Sequence, residues 1–115
     1  MIDDNEQITK MISTFLKLSN HKCSIANDGE VGLELLQKNN FDVILLDLAM
    51  PDVDGYEILE KIKNTDMPSK VIVLTASNVT KENLKKFKEM GVFSKLQKPV
   101  DIDTLLEKIT LVRNS

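Results

Sequence analysis

Asp47 closes a continuous apolar run, Val43-Ile44-Leu45-Leu46, and is followed by Leu48-Ala49-Met50-Pro51-Asp52-Val53-Asp54-Gly55, a stretch dense in turn formers. The run has the length and branched apolar character of a strand buried on both faces. In a parallel α/β sheet, ligands bind at the carboxyl ends of the strands, so a carboxylate there stands where chemistry is done. Other apolar runs end comparably. Met1-Ile2 leads to the paired acids Asp3-Asp4, Val71-Ile72-Val73-Leu74 leads to Thr75-Ala76-Ser77, and residues 92–96 precede Lys98-Pro99. Carboxylates suit a hard cation or a nucleophilic role, while a hydroxyl and an ammonium suit an anion.

Each member also has a plainer explanation. Asp47 can cap the next turn, and paired acids at a helix start can be N-caps that complement the helix dipole. Four such groups at corresponding strand ends, in this order, are hard to obtain from capping alone. Two sharper motifs fail on the residues. A run ending in Asp resembles the metal-binding strand of P-loop NTPases, but the chain has no G-x-x-x-x-G-K-[ST]. Asp52-Val53-Asp54-Gly55 resembles part of a calcium loop, but its first ligand position is Met50 and its closing position Lys61.

The elements that must position these groups alternate. Ile8, Met11, Ile12, Phe15 and Leu18 recur at helical spacing until Ser19-Asn20-His21 breaks the pattern. Residues 23–26 read as a short strand, and Asn27-Asp28-Gly29 introduces a helix with Val31, Leu33, Leu35 and Leu36. After the Asp47 strand, Tyr56, Ile58, Leu59 and Ile62 mark a helix ending near Asn64. The strand of residues 71–74 leads to a charged helix over residues 80–90, whose narrow apolar stripe is Leu84, Phe87 and Met90. Gly91 caps it, residues 92–96 form the last strand, and Ile102, Leu105, Leu106, Ile109 and Val112 mark a final helix. Such alternation predicts a parallel sheet with right-handed crossovers.

Composition sets the outer bounds. With 115 residues and 42% hydrophobic content, a single domain spanning residues 1–115 is expected. The net charge of −3, without a basic block, argues against direct nucleic-acid binding. The lone Cys23 reads as a small core residue. No long apolar span or signal peptide is seen, so no membrane association and a cytoplasmic location are expected.

Asp3-Asp4, Asp47 with Met50-Pro51-Asp52 and Gly55, Thr75-Ala76 and Lys98-Pro99 together resemble the receiver domain of two-component response regulators, nearest in layout to CheY-like single-domain regulators. The resemblance covers essentially the whole chain. It implies a doubly wound, flavodoxin-like α/β fold with a parallel five-stranded sheet of order 2-1-3-4-5. It implies Asp47 as the acceptor of a phosphoryl group from a histidine kinase, a phosphotransfer protein or a small phosphodonor. Asp3, Asp4, Asp47 and the carbonyl of Ala49 would hold Mg²⁺, the natural resident among crowded carboxylates. Lys98, the Thr75 hydroxyl and the Ala76 amide would meet the phosphoryl oxygens. Catalysis would be limited to the domain's own phosphoryl transfer and dephosphorylation. Ala49 and Ser77 are small and imply no fast self-dephosphorylation. The Lys98-Pro99 bond is expected cis, and signal output is expected through the fourth helix, last strand and fifth helix, with a homodimer also admitted.

The sequence departs from that pattern twice. Only Met1 and Ile2 precede Asp3, so the central first strand is severely shortened or missing. Its neighbours would lose pairing partners, which points to a shortened version of a longer receiver or to another segment or chain supplying the pairing. At Lys95, receivers usually carry the aromatic that turns inward on activation, and Phe93 shares its face of the strand. These departures keep a second reading open, a pseudo-receiver that acts as a phosphorylation-independent interaction module.

Overall fold

Branched apolar residues without helical spacing build the sheet. The structure, a computed structural model, describes residues 1–48, 55–63, 70–75 and 80–114. β1 (Ile44–Asp47) and β2 (Val71–Thr75) are buried at every position, as expected for strands covered on both faces. β3 (Ser94–Gln97) alternates between half-buried and exposed positions and lies at the end of the row. All pairing is parallel, with Ile44 opposite Val71, Asp47 opposite Leu74, and Thr75 opposite Gln97. The last strand therefore begins and ends a little later than expected.

Two further rows are reduced to single residues. Ile2 makes parallel bridges to Ala26 on one side and Leu46 on the other. The spatial order is thus Ala26, Ile2, β1, β2, β3, which is the expected 2-1-3-4-5 arrangement with its first strand cut short. Within residues 1–3 the pairing is complete. Ile2 N–H donates to Leu45 O at 2.7 Å and Asp47 N–H to Ile2 O at 2.8 Å; on the other flank Ala26 N–H donates to Met1 O at 2.9 Å and Asp3 N–H to Ala26 O at 3.1 Å. The strand expected over residues 23–26 survives only at Ala26, because a row this short pairs only with the residues it faces.

Helices cover both faces. α1 (Glu6–Leu18) and α5 (Ile102–Arg113) lie on one side, where Ile12, Leu16, Leu105, Ile109 and Val112 pack with Leu45 and Ile72. α2 (Gly29–Lys38), α3 (Gly55–Ile62) and α4 (Lys81–Glu89) lie on the other, where Leu36, Ile58, Leu59 and Phe87 pack with Ile2, Leu46 and Val73. Adjacent strand residues point to opposite faces, so Leu45 and Leu46 feed different cores. Side-chain caps start four helices: Asn5, Asp28, Thr80 and Asp101 each accept the backbone N–H three residues on. Gly91 ends the turn after α4 with φ of 78°, a conformation that glycine adopts without a side-chain clash.

The apolar stripe expected on α1 is only partly inward. Thr9, Ile12, Ser13 and Leu16 form the buried face, while Met11, Phe15 and Leu18 are exposed. Helical spacing gives the period of a stripe, whereas the angle at which the helix meets its neighbours chooses which edge is buried. Leu84 is likewise exposed, leaving Phe87 and Met90 to anchor α4. Phe87 stacks on Tyr56 with ring centroids 6.0 Å apart, and Lys86 Nζ sits 4.3 Å above the Tyr56 ring.

Gly55 fixes where α3 meets the end of β1. A Cβ there would lie 2.5 Å from Leu48 Cα and 2.8 Å from Asp47 O, both backbone atoms with little freedom to retreat. Gly55→Ala is expected to lower stability by about 1–3 kcal/mol, the usual penalty for overpacking. Urea unfolding monitored by circular dichroism checks this, and an unchanged midpoint would refute the close fit.

Candidate functional site

Parallel pairing sends the carboxyl ends of the rows to one edge, and Asp3, Asp47, Thr75 and Lys98 converge there. Asp3 is wholly buried and held at three points. Its N–H bonds Ala26 O, its carbonyl accepts from Asn27 Nδ2 at 3.0 Å, and its Oδ1 accepts from Asn5 N–H at 2.9 Å. Asn5 supplies the α1 cap by accepting from Ile8 N–H, so capping does not explain the acidic pair. Asp47 is 2% exposed, Asp4 is exposed, and carboxylate oxygens of Asp3, Asp4 and Asp47 lie within 4.8 Å of one another. Two buried acids and one at the surface make a cluster that opens toward solvent.

Lys98 answers this negative charge. Its Nζ lies 2.8 Å from Asp3 Oδ2 and 3.4 Å from Asp47 Oδ2. Its backbone N–H donates to Thr75 O at 2.7 Å, and the Lys98-Pro99 bond is cis, as expected. Burial pulls the ammonium down, but the hydrogen bonds and charges of Asp3 and Asp47 outweigh it, and the Lys98 pKa stands above its ordinary value. Asp3 Oδ2 is buried with Lys98 Nζ 2.8 Å away, an ion pair of imperfect hydrogen-bond alignment that leaves the oxygen with unused accepting capacity among the described residues. A buried, under-bonded carboxylate oxygen beside two other carboxylates suits a hard divalent cation such as Mg²⁺.

Thr75 is buried, and its hydroxyl lies 3.5 Å from Leu96 O, at the outer limit of a hydrogen bond. It is therefore held loosely toward β3. Ala49, Ala76 and Ser77 lie outside the described residues. Lys95 is exposed, and Phe93, on the same face, is exposed as well, whereas Leu96 packs toward α1 and α5. Reasoning from sequence missed Asn27, whose amide joins the Asp3 carbonyl to Thr9 Oγ1, both at 3.0 Å, and so ties the acid to α1. An Asn before Asp-Gly reads as a turn residue, and nothing in the local pattern reveals that longer reach.

The pKa shift of Lys98 fixes a pH dependence. A raised lysine pKa contributes stability that is fully present below its unfolded value, about 10.4, and is lost as pH rises through the higher folded value. Lys98→Met is expected to be less stable than the parent at pH 7, with the difference shrinking only above pH of about 10. Denaturant melts across that range test it, and a difference that vanished below pH of about 9 would contradict the pairing.

Comparison with known proteins places this geometry. The family model for the response regulator receiver domain matches residues 1–110. The chain is 33% identical over 111 residues to the sensor histidine kinase RcsC of Escherichia coli K12, covering 96% of this chain and 12% of that protein. It is 38% identical over 111 residues to the probable transcriptional regulator ycf29 of Pyropia yezoensis, covering 95% of this chain and 50% of that protein. It thus spans half or less of either relative's length. Among solved structures it is similar to the receiver domain of the Francisella response regulator 1452, with TM-score 0.88, 30% identity, and coverage of 98% of this chain and 93% of that one. It is also similar to a CheY-like receiver domain protein from Methanospirillum hungatei JF-1, with TM-score 0.89, 28% identity, and coverage of 98% and 90%.

Proposed function

This chain belongs to the response regulator receiver domain family, and from that premise we propose that residues 1–115 act as one phosphoacceptor domain with Asp47 as the acceptor. The observation that carries the proposal is the buried Asp47 carboxylate at a parallel strand end, with Lys98 Nζ 3.4 Å away and Asp3 and Asp4 beside it. A carboxylate oxygen of Asp47 attacks the phosphorus of a phosphohistidine on a histidine kinase or phosphotransfer protein, or of a small phosphodonor. The P–O bond forms as the bond to the leaving group breaks with its electron pair, giving an acyl phosphate.

The residues around Asp47 have separable parts in this step. Asp3, Asp4, Asp47 and the Ala49 carbonyl would hold Mg²⁺, which when bound adds positive charge against the phosphoryl oxygens. Lys98 shifts from the Asp3 and Asp47 carboxylates to a phosphoryl oxygen, a donor already charged and already in place. Thr75, weakly bonded to Leu96 O, is free to turn its hydroxyl toward the new anion, and the Ala76 amide joins it. The phosphoryl group adds about −1.5 to −2 charge, enough to reorder these donors.

Output leaves through the surface of α4, β3 and α5 toward a downstream protein. The exposed Lys81, Lys85 and Lys88 of α4 and Lys95 of β3 give that surface a basic character, which favours an acidic partner face. Among the described residues no helix is long and apolar enough to cross a membrane, in keeping with action in the cytoplasm.

Intact-mass spectrometry with a small phosphodonor and Mg²⁺ tests the acceptor. One phosphoryl group is expected on the parent chain, and none on Asp47→Asn or after chelation; Lys98→Ala is expected to slow incorporation roughly 100-fold. A phosphoryl group retained on Asp47→Asn would reassign the acceptor, and none on the parent would favour the phosphorylation-independent module.

The switch is expected to differ from an inward aromatic rotation. A charged head loses its hydration on entering an apolar slot, so Lys95 stays outward while the Thr75 hydroxyl turns. Paired structures with and without a phosphoryl mimic check this. A buried Lys95 in the activated state would overturn it.

A further inference from the structure

Of the three clustered acids, Asp3 and Asp47 are buried and Asp4 is exposed. Packing holds the first two, whereas the direction in which Asp4 leaves the chain depends on the peptide plane that joins it to Asp3. That plane lies just past the end of a row. On the Ala26 flank, among the described residues, backbone pairing ends with Asp3 N–H donating to Ala26 O at 3.1 Å. In a continuing parallel ladder the Asp3 carbonyl would next accept from the N–H of residue 28. Asp28 instead opens α2 as its N-cap, and Asn27 supplies the donor from its side chain, with Nδ2 3.0 Å from Asp3 O.

The Asn27 amide has a single workable orientation. A carbonyl oxygen only accepts, so the amide nitrogen must face it. The second hydrogen of that nitrogen goes to Thr9 Oγ1 at 3.0 Å. Thr9 is 2% exposed, and its own hydroxyl donates to Glu6 O at 3.1 Å in the first turn of α1. Its oxygen therefore presents a lone pair to Asn27. Donation runs outward from one amide along two branches, one to Asp3 and the other through Thr9 to Glu6. A buried hydroxyl is costly unless it is bonded, and this one is bonded so as to lock the amide.

Asn5 complements the amide by donating its N–H to Asp3 Oδ1 at 2.9 Å. The Asp3 carboxylate is thus oriented by Asn5, and the peptide that leads to Asp4 by Asn27.

We propose that Asn27, backed by Thr9, is a positioning residue for the acidic site: by holding the Asp3-Asp4 peptide it presents the Asp4 carboxylate to the cation shared with Asp3 and Asp47. The inference rests on the reading of these acids as Mg²⁺ ligands and goes beyond it, since Asn27 acts through the peptide and not as a ligand. Loss of a partner that orients a ligand typically costs roughly 10–100-fold in metal affinity.

Binding of Mg²⁺ by calorimetry and of Mn²⁺ by electron paramagnetic resonance, on the unphosphorylated chain, tests this without any phosphoryl transfer. Asn27→Ala is expected to weaken both by about 10-fold or more. Thr9→Val is expected to weaken them by a smaller factor, and Thr9→Ser, which keeps the hydroxyl, to bind as the parent does. In the Asn27→Ala background Thr9→Val is expected to add nothing, because its effect passes through the amide. Asn39→Ala removes a comparable bond, Asn39 Nδ2 to Leu35 O, at the other end of α2. It is expected to lower Tm while leaving the affinity at the parent value, which separates positioning from stability. Parent affinity in Asn27→Ala, or an equal loss from Thr9→Val in both backgrounds, would overturn the proposal and leave the acidic site standing. If Asn27→Ala does not fold, equal affinities of Thr9→Val and Thr9→Ser overturn it. A parent chain that bound neither cation would overturn the site and the proposal together.

Discussion

The structure depends on the insertion of one residue, Ile2, between two backbones. Its N–H and C=O are both committed to the row of β1, and its neighbours Met1 and Asp3 are committed to the row of Ala26. These bonds set Asp3 beside Asp47 by backbone geometry, which is far stiffer than a side-chain contact. If Ile2 slipped by one residue, Asp3 would exchange faces with its neighbour, since side chains alternate along an extended row. The acidic cluster and its partner Lys98 therefore rest on a row barely longer than one residue.

Around that wedge, the sheet divides the labour between packing and chemistry. The buried runs of β1 and β2 supply both cores, while their carboxyl ends release Asp47 and Thr75 to one edge. Lys98 arrives from beyond β3 and is anchored there by its own N–H on Thr75 O. Its ammonium balances charge that would otherwise be buried without compensation, at the place where the proposed chemistry needs a cation. The same side chain thus serves stability in the resting state and would serve electrostatics in the proposed reaction.

Loosely held groups lie where movement is proposed. Among the described residues the Thr75 hydroxyl reaches a distant carbonyl, α4 is anchored by Phe87 and Met90 over a mostly solvated helix, and Lys95 is exposed. Tightly held groups lie where geometry is needed: Asp3 is fixed through its N–H, carbonyl and carboxylate, and Gly55 leaves no room at the end of β1. An interior packed this closely resists gradual deformation, so the proposed phosphorylation of Asp47 would be passed outward through the few groups with freedom to turn.

The sequence by itself determined the periods and the strand ends. Two-faced apolar runs announced β1 and β2, Asn27-Asp28-Gly29 and Gly91 announced helix limits, Asp3, Asp47 and Thr75 were legible because each follows an apolar run directly, and Lys98 because it stands just beyond the last strand, before a proline. These are local signals, carried by residues within a few positions of one another. Tertiary structure decided what local pattern leaves open: which edge of the α1 stripe is buried, that residues 23–26 pair only at Ala26, and that Asn27 reaches back to the Asp3 carbonyl. It also decided that Lys98 pairs with Asp3 more closely than with Asp47. Each of those outcomes is fixed by residues distant in sequence meeting at a particular register and angle, and no run of adjacent residues encodes that meeting.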